Sequence, residues 1–347
     1  MGKFDKRTEK DCGAGASAGA QEYLLEVRDL KTHFITKAGV GKAVDGVSFT
    51  LKRGEILGLI GESGSGKSVA VKSILQIVTK PGRIVGGEVI FNGVDLLADK
   101  AAMQAVRGRD ITMIFQEPMT SLNPVLTIRR QMTEGVMLHL KVSRSEAEKI
   151  ACKYLTLVKI PNPEETLKRY PHHLSGGMRQ RVMIAMALAT NSSLLIADEP
   201  TTALDVTIQQ QILFLIKDLR DQLNMGVIFI THDMGVINEV SDSTAVMYCG
   251  TIQEYASTYE VMKRPLHPYT QALIEAIPRI DSEQELLNTI PGTIPSLLEL
   301  PQGCSFSNRC KYACERCTKE TPELYDVGGG HMVRCWKYAG DSGKEHV

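Results

Sequence analysis

The stretch Gly61-Glu62-Ser63-Gly64-Ser65-Gly66-Lys67-Ser68 joins an apolar run, Ile56–Ile60, to the helix-like segment Val69–Leu75. Strand, tight glycine turn and helix, with G-x-x-x-x-G-K-[ST] between, is the pattern of a phosphate-binding loop. Glycines admit turns that a Cβ blocks, and successive N–H groups then converge into an anion nest. The helix that follows adds a partial positive charge at its N-terminus. In such a loop Lys67 reaches the β- and γ-phosphates, the Ser68 hydroxyl ligates Mg²⁺, and Val69 lies beside the nucleotide.

Further candidates lie downstream. Ser193-Leu194-Leu195-Ile196-Ala197-Asp198-Glu199 reads as a buried strand ending in two carboxylates, suited to hold Mg²⁺ (Asp198) and to polarise a water (Glu199). Two solvated loop acids are the bland alternative. Gln116 ends the apolar run Ile111–Phe115, and His232 ends Val227–Thr231. Open α/β sheets bind ligands beyond the carboxyl ends of their strands, so both can face a bound nucleotide. Alone, the first reads as a surface glutamine and the second as a structural histidine. Ser175-Gly176-Gly177 opens the apolar helix Val182–Ala189 and offers either a second phosphate site or a simple N-cap.

These residues need a parallel sheet to hold them. Strands are expected at Tyr23–Val27, Ala43–Leu51 and Glu88–Phe91, the last entering an Asn92-Gly93 turn, which gives a β-rich part around the loop. Ile128–Tyr170 is mostly helical in pattern, with a capped start at Ser143 and breaks at Pro161 and Pro163. The Gly/Ala/Ser-rich segment before residue 20 reads as a flexible tail in which Cys12 is incidental.

The formal charge of zero argues against a dedicated nucleic-acid binder. No apolar run approaches the roughly 20 residues of a membrane span, and the N-terminus lacks the apolar core of a secretory signal. A cytosolic, disulfide-poor protein is expected, yet five of the eight cysteines fall between Cys304 and Cys335.

The ordered set Gly61–Ser68, Gln116, Leu174–Gln180, Asp198-Glu199, Ala203-Leu204-Asp205 and His232 resembles the ATP-binding subunit of an ABC transporter over about residues 22–262. The resemblance implies an α/β P-loop ATPase with an antiparallel N-terminal β part and an inserted helical subdomain at about 119–175. It implies a head-to-tail pair in which Ser175, Gly176 and Gly177 of one domain close on the ATP held by Gly61, Glu62, Ser63, Gly64, Ser65, Gly66, Lys67, Ser68 and Val69 of the other. Mg²⁺ would be held by Ser68, Gln116 and Asp198; Glu199 would activate water, His232 would stabilise the γ-phosphate and Asp205 would communicate across the pair. Thr202 stands where many members have serine, and Phe34 is the candidate for stacking on adenine.

From His267-Pro268-Tyr269 onward, the Pro291-Gly292 stretch, Gly303-Cys304, Phe306, Arg309-Cys310, Cys317 and Cys335 resemble the C-terminal region of oligopeptide/dipeptide importer ATPases. In that family four cysteines are reported to hold a [4Fe–4S] cluster in some members, which here implies Cys304, Cys310, Cys317 and Cys335. Thiolates suit zinc as well, and Cys314, one C-x-x-C step from Cys317, competes as a ligand. The cysteines lie outside the ATPase motifs, which argues against a part in the chemistry, and are expected to staple a short, loop-rich extension, residues 263–347. Cys152 and Cys249 read as core residues.

The function implied is an ATPase that energises a di- or oligopeptide importer from the cytoplasmic face of the membrane. It would pair with a second ATPase subunit, two transmembrane permeases and an extracytoplasmic binding protein, with no nucleic acid. The same machinery with nickel, glutathione or another small solute is the nearest alternative. A soluble ABC ATPase acting on ribosomes or DNA is the more distant one.

Overall fold

The computed structural model describes residues 23–116, 121–202, 204–277 and 290–340. The N-terminal tail with Cys12, the first residues of the expected helical insertion and Ala203 lie outside them.

Two sheets and a helical layer enclose two cores. The first sheet is antiparallel, with β1 (Leu25–Thr36), β2 (Gly39–Leu51), β4 (Gly82–Phe91) and β5 (Val94–Asp95) in the order β2-β1-β4-β5. Asn92 and Gly93, at φ 47° and 79°, make the tight turn between β4 and β5. The second sheet centres on five parallel strands. These are β3 (Ile56–Ile60), β6 (Ile111–Ile114), β7 (Leu194–Asp198), β8 (Gly226–Thr231) and β9 (Ser243–Tyr248), arranged β9-β3-β8-β7-β6.

β3, β7 and β8 are buried along their whole length, which is why they read as unbroken apolar runs. Alternate residues still go to opposite sides. Leu57, Leu59, Leu194, Ile196, Ile228 and Ile230 join the core shared with the antiparallel sheet and with α1 (Lys67–Ile74). Ile56, Ile60, Leu195, Ala197, Val227 and Phe229 join the core shared with the helical layer.

That layer contains α3 (Ile128–Leu140), α4 (Arg144–Leu157), α5 (Pro163–Lys168) and α6 (Gly176–Leu188); the short α2 (Lys100–Val106) precedes β6. Ser143 caps α4, its hydroxyl accepting from the Glu146 N–H at 3.3 Å. α7 (Val206–Leu223) buries Ile212, Leu213, Ile216 and Leu219 at helical spacing and ends on Asn224 in the left-handed region. α8 (Met234–Val240) follows β8.

The C-terminal segment does not stand apart. β10 (Thr251–Ser257) pairs antiparallel with β9, and after α9 (Thr258–Lys263), α10 (Pro268–Glu275) and α11 (Glu315–Lys319) the chain returns as β11 (Tyr325–Asp326) and β12 (Met332–Val333). β12 pairs with β10, Glu254 opposite Val333, so the extension supplies the outer strands of the main sheet. Two-residue strands carry no periodicity, which hid this from the sequence. Buried Glu254 locks the junction: it accepts from the Leu266 and His267 N–H groups at 2.8 Å each and meets His331 Nε2 at 2.8 Å.

Candidate functional site

The parallel register brings three strand ends together. Ile60 lies opposite Thr231, and Asp198 opposite Ile230. Gly61, Glu199 and His232 therefore leave the same edge of the sheet side by side, with Gln116 two residues past the end of β6.

The loop between β3 and α1 has its own steric logic. Gly66, the N-cap of α1, sits at φ 102°, and a Cβ there would lie 2.3 Å from the Ala43 carbonyl. A Cβ on Gly61 would approach the Met247 carbonyl to 2.1 Å. Lys67 is 5% exposed and folds back over the loop, donating to the carbonyls of Gly61 at 2.7 Å and Glu62 at 2.9 Å. Burial pulls its ammonium below the usual lysine range, and the charges of Glu199, Asp198 and Glu62 oppose that. An anion entering the loop would meet a cation held by replaceable neutral carbonyls.

The Ser68 hydroxyl donates to Asp198 Oδ1 at 2.9 Å, which joins two of the expected Mg²⁺ ligands across the sheet edge. Burial pushes the Asp198 carboxyl up, with the Ser68 hydrogen bond pulling the other way. Glu199 adopts φ 48°, a left-handed conformation uncommon for glutamate and typical of constrained functional positions. Its Oε2 accepts from Gln116 Nε2 at 2.9 Å and from the Thr202 hydroxyl at 3.0 Å, and its Oε1 faces His232 Nδ1 at 3.5 Å. Burial works to raise this carboxyl, but the Thr202 hydrogen bond and the His232 ring hold it below the usual glutamate range. Glu199 is thus an ionised acceptor at neutral pH. Lys67, Ser68, Gln116, Asp198, Glu199 and His232 form one constellation.

Ser175, Gly176 and Gly177 are not part of it. Ser175 caps α6, its hydroxyl accepting from the Met178 N–H at 3.3 Å. Ser175 and Gly176 are exposed, and the atoms nearest to Gly176 and Gly177 belong to Leu204 and Ile208. Asp205 caps α7 by accepting from the Ile208 N–H at 2.9 Å and is exposed. Partly buried Phe34 lies opposite Gly41 and Gly82 in the antiparallel sheet.

Cys304, Cys310, Cys314, Cys317 and Cys335 line one cavity of about 180 Å³, together with Phe306, Tyr312 and Trp336. Cys304 is an electrostatic neighbour of Cys310, Cys317 and Cys335, and burial pushes its thiol up to about 11. Cys314 is exposed, with its Sγ 3.5 Å from that of Cys317. Among the described residues, no group of three or more His, Cys, Asp or Glu side chains is arranged to hold a metal ion. Buried Cys249 and half-buried Cys152 pack with the core, as expected.

Sequence reasoning missed Tyr248 and gave Tyr269 and Arg309, noted there only for the resemblance, no part at the loop. Tyr269 Oη accepts from the Glu62 N–H at 2.9 Å, and Arg309 donates to both Glu62 carboxylate oxygens at 2.7 and 3.1 Å. One signal was available: a glutamate inside an anion-binding loop calls for a cation elsewhere in the chain.

The ABC transporter family profile matches residues 44–202, and that of the oligopeptide/dipeptide transporter C-terminal region matches residues 253–317. The probable peptide ABC transporter ATP-binding protein y4tR of Sinorhizobium fredii is 52% identical over 91% of this chain and 95% of its own. The chain belongs to the ATP-binding subunits of oligopeptide/dipeptide-type ABC transporters. Another member, the oligopeptide transport ATP-binding protein AppD of Bacillus subtilis, is 48% identical over 91% of this chain and 97% of its own. Among solved structures, the dimeric ATP-binding cassette MJ0796, bound to ADP and Pi in a post-hydrolysis state, has a TM-score of 0.60. It is 26% identical and covers 67% of this chain and 98% of its own. The subunit cbiO1 of the Clostridium perfringens cbiONQ transporter has a TM-score of 0.61, at 25% identity over 70% of this chain and 92% of its own. The chain is therefore an ABC-type ATPase, and the loop at Gly61–Ser68 lies within the residues that the ABC transporter profile matches. No helix among the described residues is long and apolar enough to cross a membrane.

Proposed function

We propose that this ATPase energises the import of di- or oligopeptides. The observation that carries the reading is the joining of Ser68, Asp198 and Glu199 at one sheet edge in a chain whose C-terminal region matches the oligopeptide/dipeptide type.

ATP would lie with its β- and γ-phosphates over the Gly61–Ser68 N–H groups and Lys67. Ser68, Asp198 and Gln116 would hold Mg²⁺, which supplies charge neutralisation at the phosphate oxygens. Glu199 would orient and deprotonate the attacking water. Its left-handed backbone and its bonds to Gln116 and Thr202 fix the carboxylate before ATP arrives. His232, 63% exposed beside Glu199, would meet the γ-phosphate. Because Ser175 and Gly176 lie exposed and Gly177 partly buried at the N-terminus of the 13-residue α6, the three would complete the site of a second ATPase subunit, and exposed Asp205 would sit at that contact.

The helices between β6 and α6 would dock on two transmembrane permeases at the cytoplasmic face of the membrane. An extracytoplasmic binding protein would deliver the peptide. Cys304, Cys310, Cys317 and Cys335 line one cavity with Cys314, and thiolates are the donors that a [4Fe–4S] cluster or zinc takes, although the described side chains are not gathered as a metal-binding group. Iron, sulfide and zinc analysis of anaerobically purified protein separates the two.

The test is purification of the tagged chain from its own detergent-solubilised membranes, with partners identified by mass spectrometry. Two polytopic proteins, a second ATPase and a binding protein that retains peptide are expected. Ribosomal or DNA-repair partners without membrane subunits would overturn the importer, and retained nickel or glutathione would overturn the peptide cargo.

A further inference from the structure

Every polar group of Glu62 is engaged. Its carbonyl accepts from Lys67 Nζ at 2.9 Å and from the Ser65 N–H at 3.2 Å, both within the Gly61–Ser68 loop. Its other two anchors come from more than 200 residues away in sequence. The Glu62 N–H donates to Tyr269 Oη at the start of α10, and the carboxylate takes both terminal nitrogens of Arg309 in a forked pair.

Arg309 is itself fixed on all sides. Its side chain is 4% exposed. Nε donates to the Pro291 carbonyl at 2.9 Å and Nη2 to the Ile290 carbonyl at 3.3 Å. Nη1 also reaches Tyr248 Oη at 3.3 Å, and the guanidinium lies 5.9 Å from the centre of the Phe306 ring. Tyr248, Tyr269 and Phe306 pack ring against ring at 4.7 to 5.3 Å beneath it. A cation this buried, anchored by two carbonyls and a tyrosine hydroxyl and forked onto one carboxylate, defines a position for that carboxylate, and hence for the second residue of the loop.

We propose that Arg309 is a positioning residue for ATP binding. The C-terminal extension, through Arg309 and Tyr269, sets the conformation of the Gly61–Ser68 loop. The nucleotide site is thus built by both halves of the chain, and the extension acts on catalysis through Glu62 rather than through substrate. Arg309 also lies immediately before Cys310, so the wall of the cysteine-lined cavity and the Gly61–Ser68 loop share one rigid junction.

The experiment measures equilibrium binding of a fluorescent ATP analogue and the steady-state kcat and KM of the full-length chain. The variants are Arg309→Gln, Arg309→Lys, Glu62→Gln and Arg309→Gln/Glu62→Gln, with the wild type beside them. Each single Gln variant is expected to bind about tenfold more weakly, with KM rising more than kcat falls. The double variant is expected to be no worse than either single one, because both remove the same pair. Arg309→Lys is expected to recover part of the affinity through one retained donor. Unchanged affinity in either Gln variant, additive losses in the double variant, or a loss confined to kcat would overturn the proposal. If Arg309→Gln does not fold, Glu62→Gln decides alone: wild-type affinity there refutes the role. A wild type that binds no nucleotide would instead refute the ATPase reading itself.

Discussion

Replacing Glu199 by glutamine isolates the chemical step from binding. The substitution keeps the side chain's volume and leaves the backbone anchor intact, since the Glu199 N–H donates to the Ile230 carbonyl at 3.0 Å. One oxygen remains to accept from Thr202 or Gln116, each now about 3 Å from the carboxylate. The other becomes an NH₂ group that can accept neither a second hydrogen bond nor a proton from water. The contacts expected to carry ATP affinity, at the loop N–H groups, Lys67 and Ser68, are untouched. The expected cost is that of losing a general base, about 10²- to 10⁴-fold in kcat, or roughly 3 to 5 kcal/mol of transition-state stabilisation. Phosphate release under saturating Mg-ATP and equilibrium binding of a fluorescent analogue read the two quantities separately. A kcat within about threefold of wild type would remove Glu199 from its role. A parallel loss of binding would show that the carboxylate serves the loop rather than the water.

Ser68→Ala removes the hydroxyl that bridges to Asp198, and is expected to raise the Mg²⁺ concentration for half-maximal activity about tenfold or more; an unchanged Mg²⁺ titration counts against that ligand set. Gly66→Ala forces a Cβ to 2.3 Å from the Ala43 carbonyl at φ 102°, a strain on the order of 1–3 kcal/mol that should abolish tight ATP binding; a variant binding like wild type would contradict the geometry. His267 is fully buried, accepts from the Tyr269 N–H at 3.0 Å, and is held by burial at about 3 instead of the ordinary 6.5. The unfolded chain therefore binds a proton below pH 6.5 that the folded chain refuses until about pH 3. Stability should fall with pH across that window by about 1.4 kcal/mol per unit from this group. Urea midpoints of wild type and His267→Asn between pH 6.5 and 4 should converge as pH falls, whereas parallel profiles would show that His267 is protonated in the folded state.

The proposed catalytic edge was legible as a cluster because its residues sit where chemistry and strand patterning coincide. Asp198 and Glu199 end an apolar run, Gly61 follows another, and a parallel sheet aligns such ends whatever lies between them. The long strands were legible too, although β1 and β2 continue beyond the expected Tyr23–Val27 and Ala43–Leu51 because their hairpin pairs out to Thr36 and Gly39. What the sequence concealed was contact between distant segments. Arg309 of the extension lies against Glu62, and Val333 pairs with Glu254. Neither is a periodic signal: one is a single ion pair across 247 positions, the other a two-residue strand. Ser175–Gly177 were legible as a loop at a helix start, and in the lone chain Ser175 and Gly176 face solvent while Gly177 packs beside Ile208.

The central claim is that ATP hydrolysis at Glu199 drives peptide across a membrane. Its most direct measurement is uptake of a radiolabelled tripeptide into proteoliposomes that hold the complex purified with this chain, with ATP on the side of the ATPase and the binding protein on the other. The account predicts accumulation that requires ATP and Mg²⁺ and disappears with Glu199→Gln. ATP hydrolysis that proceeds without peptide entry, or peptide entry that survives Glu199→Gln, would contradict it.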